Sequence, residues 1–149
     1  MTSPYRLIGL SFMLVGMGGL ISCAAKTVPL EHQTPLVKNQ PYEGTQQNMD
    51  YQLAYRYVFV KGGVAEPDRI EFAGKLTPRR GLETLIIRLH LLDTAGKMLA
   101  TQVLYAPGAG QGAGRSTINR NSEVPPGAVT LAFSHFAQEY AARPILRRR

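Results

Sequence analysis

Alternation of apolar and polar side chains constrains this chain more than any other property. Tyr51, Leu53, Tyr55, Tyr57 and Phe59 occupy every second position, with Gln52 and Arg56 among the residues between them. Side chains on an extended strand point alternately to opposite faces, so this spacing sends five large groups to one side of a sheet. Most of that tyrosine stripe is expected in a core, where the rings add apolar area and the hydroxyls reach a rim. Leu82–Leu92 repeats the signal. Leu85, Ile87, Leu89 and Leu91 point one way, and Ile86, Arg88, His90 and Leu92 the other. One face is continuously apolar and the other mixed, as in a sheet packed on one side.

Turn residues separate the strands. Gly62-Gly63 ends the first run; Ile70, Phe72 and Lys75-Leu76 suggest a second, bounded by Pro67 and Pro78 and followed by a turn at Arg79-Arg80-Gly81. Asp93-Thr94-Ala95-Gly96 offers a side-chain acceptor at the start of a turn and glycine at its end. Lys97–Tyr105 reads as the returning strand, with Leu99, Val103 and Tyr105 available for packing. Pro107–Gly114 is glycine-rich, and Pro125-Pro126-Gly127 is a firm break. Val129, Leu131 and Phe133 form the next alternating run, with His135 continuing that face, and residues 136–142 either extend the strand or form a short helix. No amphipathic helix lies between the runs, so hairpins are favoured over β-α-β crossovers. Five or six short strands with turn-rich joins make an all-β fold: a small antiparallel β-sandwich first, a partly closed β-barrel second.

The N-terminus has a different character. Arg6 precedes an uninterrupted apolar and small-residue stretch from Leu7 to Ile21, and Leu20-Ile21-Ser22-Cys23 contains the only cysteine. Its hydrophobic part, Leu7–Gly19, is about 13 residues long, short of the roughly 20 that span a bilayer. Gly9, Gly16, Gly18 and Gly19 make it a poor permanent helix. The arrangement resembles the lipobox of bacterial lipoproteins. That resemblance implies removal of residues 1–22, a diacylglyceryl group on the Cys23 thiol and acylation of the new amino terminus. Several acyl chains give stable anchoring where one gives only marginal binding. Ala24, where an aspartate often retains such proteins in the inner membrane, implies the outer membrane, with the domain facing the periplasm. An ordinary signal peptide or uncleaved N-terminal anchor, with Cys23 a bystander, is the alternative.

Removing the first 22 of 149 residues leaves 127, enough for one domain with a modest core. Only Arg6 of the 17 basic side chains is lost, so 16 face 10 acidic ones, a formal charge of +6. With Cys23 lipidated, no thiol remains for a disulfide or a thiolate metal site. The basic residues do not form a base-reading surface: Arg147-Arg148-Arg149 is a terminal run, Arg79-Arg80 sits in a turn, and the rest are scattered. Such a tail is solvated or attracted to anionic surfaces, and an envelope address removes nucleic acid from the partners. Headgroups, lipopolysaccharide or an acidic face of an envelope protein fit better. Residues 24–48 are polar, with Pro29, Pro35 and Pro41 at intervals of six, and read as an extended tether, or as a strap anchored on a partner by Tyr42. The expected layout is therefore signal peptide 1–22, tether 23–48, sandwich 49–142 and basic tail 143–149.

Within the sandwich, Phe72-Ala73-Gly74, Arg88-Leu89-His90-Leu91-Leu92-Asp93 with Gly96-Lys97, Val124-Pro125-Pro126-Gly127 and Ala132-Phe133-Ser134 occur in that order. This series resembles small β-sandwich lipoproteins of uncharacterised function from Gram-negative bacteria, over about residues 50–136. Its pieces are core, turn and strand residues, so it implies a fold and no activity.

Site chemistry is sparse. Gly108–Gly114 followed by Arg115 tempts a phosphate-loop reading, but such a loop should open a helix and carry Lys-Ser or Lys-Thr, and neither is present. A flexible sheet connection is the plainer reading; Gly110, Gly112 and Arg115 are the candidates if the loop contacts a ligand or anion. His90 and His135, on neighbouring strands, are the only pair able to recruit copper or zinc with Asp93, and no third fixed ligand is evident, so no metal or other cofactor is implied. Ser134 and His135 are adjacent and face opposite ways, wrong for direct proton transfer. No nucleophile elbow surrounds Ser116 or Ser122, and Glu71 and Glu83 have ordinary surface roles, so no catalytic residue is assigned and the chain does not read as an enzyme. If one edge of the aromatic stripe stays open, Tyr57 with Arg56 or Arg88 forms a protein-contact patch. The expectation is a lipid-anchored domain that binds or scaffolds another envelope component. A small-ligand or metal carrier or sensor is the main alternative and a hydrolase a third, while a purely structural envelope lipoprotein stands close behind the partner-binding reading.

Overall fold

A computed structural model describes residues 33–108 and 110–140. The segment expected to be a signal peptide, Cys23, the start of the expected tether, His32 and the terminal arginines lie outside them. Eight strands follow in order: β1 (Thr34–Pro35), β2 (Tyr42–Gln47), β3 (Tyr51–Val60), β4 (Arg69–Pro78), β5 (Leu82–Leu92), β6 (Met98–Tyr105), β7 (Ser116–Glu123) and β8 (Thr130–Glu139). They form two antiparallel sheets, β1-β8-β5-β6 and β2-β3-β4-β7. No ladder joins one sheet to the other, so the strands make a sandwich and leave the barrel alternative aside.

The alternation places the core between the sheets. Tyr51, Leu53, Tyr55, Tyr57 and Phe59 of β3, with Ile70, Phe72 and Leu76 of β4, meet Leu85, Ile87, Leu89 and Leu91 of β5 and Leu131 of β8. Phe133 crosses the gap: its ring centroid lies 4.9 Å from that of Tyr55 and 6.2 Å from that of Phe72. Gly44 pairs with Tyr55 across β2 and β3, and a Cβ there would sit 2.6 Å from the tyrosine oxygen, so only glycine lets that ring lie flat over the neighbouring strand.

Four strands depart from expectation. β1 and β2 fall inside the segment expected to be a tether, so ordered structure starts by residue 33 rather than 49. Leu36 is buried in the core and Tyr42 stacks on Tyr57 at 5.2 Å, contacts whose apolar area a polar average over the segment conceals. β7 escapes the alternation rule because Ile118 is its only large apolar residue; as an edge strand it gains its place from the ladder to β4. In β6 Tyr105 packs against the core as expected, but Leu99 and Val103 do not. Leu104 points inward, whereas Leu99 and Val103 are 36% and 45% exposed. Bulges flank the β5–β6 ladder at Ile87/Arg88 and Leu91/Leu92, and one extra residue moves a strand's side chains to the other face. Beyond Phe133 the strand continues to Glu139, not into a helix.

Candidate functional site

The densest polar chemistry lies where the β2–β3 turn, the β4–β5 turn and the end of β8 converge. Asn48 Oδ1 accepts the backbone amides of Asp50 and Tyr51 at 2.9 and 3.0 Å, which turns the chain sharply and holds Asp50 at the mouth of the sandwich. Asp50, 9% exposed, receives Arg80 Nε on Oδ1 at 2.6 Å and His135 Nε2 on Oδ2 at 2.9 Å. Arg80 also pairs with Glu139. With its proton on Nε2, His135 presents Nδ1 to Asn48 Nδ2 at 3.4 Å, and the Tyr51 ring meets its edge at 5.2 Å. Burial by itself would raise the Asp50 carboxyl. The hydrogen bonds from His135 and Arg80, with their electrostatic attraction, outweigh that and hold it below the ordinary value. The second imidazole nitrogen meets an amide, not a hydroxyl or thiol, so the Asp50–His135 pair is a clamp between sheets and has no nucleophile on it.

The other histidine among the described residues is on the opposite side of its sheet. His90 Nε2 lies 2.7 Å from Ser134 Oγ and Nδ1 lies 2.8 Å from Thr101 Oγ1, a chain of three side chains across β8, β5 and β6. Ser134 thus meets His90 and not its sequence neighbour. A hydroxyl at Nδ1 cannot stabilise an imidazolium as a carboxylate does. The expectation that His90 and His135 approach one another fails, because His90 pairs with Ala132 and His135 with Ile87, positions of opposite facing. Asp93 instead accepts Ala95 N and Lys97 N at 2.8 and 2.9 Å within its own turn. Among the described residues no three His, Cys, Asp or Glu side chains group as a metal site.

The expected contact patch is dispersed. Tyr57 is fully buried; its hydroxyl donates to Pro35 O and accepts Val37 N, both at 2.8 Å, and so pins the first ordered segment to the second sheet. Arg56 and Arg88 lie on the outer faces of different sheets, so the three residues form no single surface. The glycine-rich loop carries the chain from β6 in one sheet to β7 in the other. Ala113 N bonds to Leu82 O at 2.8 Å and Gly114 N to the Tyr105 hydroxyl at 3.1 Å, so these amides are already used. Gly110 and Gly112 have φ of 74° and 65°, while Arg115 is exposed beyond them.

The outer face of β3, β4 and β7 carries an open concavity. Here Arg56, Val58, Glu71, Ala73, Asn119 and Asn121 line an open groove of about 420 Å³. Small side chains along its floor let the edges stand above it. Glu71 is approached by Arg69 at 3.6 Å, and the Arg120 guanidinium donates to Asn119 O at 3.0 Å. The Arg56 side chain makes no ion pair or hydrogen bond with the other described residues, so its donors face the groove unspent. Sequence reasoning singled out Arg56 but not Asn119 or Asn121, which lie on the strand it did not foresee. Comparison with protein families, with curated proteins and with solved structures gave no match.

Proposed function

We propose that this chain is a lipid-anchored envelope protein that holds another envelope component against the outer face of β3, β4 and β7. The observation that carries the contact is the groove around Arg56, whose guanidinium is exposed and unpaired among the described residues, beside two asparagine side chains. A planar fork of donors of this kind suits carboxylates on a partner, and the net charge of the chain favours an acidic one. The lipobox-like start supports the anchor at Cys23, and Ala24 the outer-membrane, periplasm-facing placement. Because ordered structure starts by residue 33, the link from Cys23 extends about 35 Å at most, so the sandwich works close to its membrane.

Crosslinking in the native membrane, followed by mass spectrometry of what co-purifies, tests both parts. A stoichiometric envelope protein is expected, lost from Cys23→Ser and from Arg56→Glu while both variants remain folded. Retention of that partner by Arg56→Glu removes the groove as the contact. Abundant lipidated protein with no partner overturns the scaffold and leaves small-ligand binding or a solitary structural role.

A further inference from the structure

The two sheets part along one side, where edge strands β6 and β7 run near each other without forming a ladder. Between them is a cavity of about 190 Å³ lined by Leu89, Leu91, Ala100, Gln102 and Ser122, with the exposed Glu123 beside them. Gln102 faces inward from β6, and its Nε2 donates to Asn121 O at 3.1 Å, a bridge from edge to edge. Its Oε1 is buried with no partner, and so is Ser122 Oγ, on a residue only 8% exposed. Buried polar atoms are ordinarily satisfied, and two orphaned acceptors on residues that line one cavity mark a place where a bonding group belongs.

We propose that this seam binds a small primary amine with a short apolar body. Both oxygens accept, and an ammonium group in the cavity bonds them once the Gln102 amide and the Ser122 hydroxyl turn toward it. Glu123 is the only charged side chain lining the cavity, so the site attracts a cation and repels a carboxylate. The leucine and alanine side chains take the alkyl part. The cavity lies below the roughly 300 Å³ at which drug-sized pockets begin, which confines the occupant to a few heavy atoms. The orphaned acceptors and Glu123 belong neither to the glycine-rich loop nor to the histidine clusters, and the site stands whether or not the Arg56 groove holds a partner.

The test uses the full chain in phosphatidylcholine nanodiscs with leucine methyl groups labelled for NMR, titrated with butylammonium, butanol and butyrate. Saturable shifts at Leu89 and Leu91 are expected with butylammonium, at least tenfold weaker with butyrate and clearly weaker with butanol. Ser122→Ala and Gln102→Leu should each weaken the amine about fivefold or more, with Leu53 and Leu76 unshifted as a control for folding. Exposed Glu123→Gln, which leaves the core untouched, should weaken the amine and not butanol. Absence of saturable shifts at Leu89 and Leu91, equal binding of amine and butyrate or butanol, or unchanged amine affinity in the folded variants overturns the proposal and leaves the cavity to water.

Discussion

His135 Nε2 lies 2.9 Å from Asp50 Oδ2, so an imidazole at the end of one sheet closes on a carboxylate in the turn of the other. Asp50→Asn keeps the shape and removes the charge. Arg80 is 41% exposed, which discounts its share, and the expected loss is about 1–2 kcal/mol in a chemical unfolding curve.

The same carboxylate sets an acid limit. Its folded pKa is depressed below 3.8, so its contribution is complete above that value. As pH falls below it toward the folded pKa, the unfolded chain takes up the proton first and stability declines. Unfolding free energies measured from pH 6 to pH 2 should fall less steeply for Asp50→Asn than for the natural chain.

An alkaline limit follows from Tyr51, whose hydroxyl is pushed up to about 12 chiefly by burial. A raised phenol pKa stabilises the fold fully below the ordinary value of 10, and the contribution is lost as pH rises from there through about 12. Tyr51→Phe should flatten the fall in melting temperature over that interval.

Tyr57→Phe removes one oxygen and strands two backbone groups, Pro35 O and Val37 N. The expected cost is about 1–2 kcal/mol. Faster hydrogen exchange at Val37, with the centre of β3 unchanged, would distinguish release of the first ordered segment from general loosening.

Phe133 packs on Tyr55 and Phe72 from the opposite sheet. Phe133→Ala should cost about 3 kcal/mol, and Arg56→Ala less than about 0.5 kcal/mol. Comparable losses in thermal unfolding would place Arg56 in the fabric of the sheet and out of a contact role.

Period-two alternation alone determined the long central strands. In β3 and β5 each inward residue is large and apolar, so local pattern and tertiary burial demand the same thing. Asp93 likewise made its turn with its own side chain, independent of distant residues. Edge elements were decided otherwise. β2 and β7 are held by ladders to β3 and β4, and backbone hydrogen bonds leave no mark in side-chain hydropathy. A bulge put Val103 on the face opposite to that of Tyr105 in β6, and no composition signals one extra residue in a ladder. Arg56 was visible as an arginine on a strand, but its groove needs Asn119 and Asn121 brought alongside from β7. Asp50, Arg80 and His135 are each ordinary in sequence; packing two sheets at a fixed distance makes them one clamp, because burial of a carboxylate requires partners that only the tertiary fold delivers.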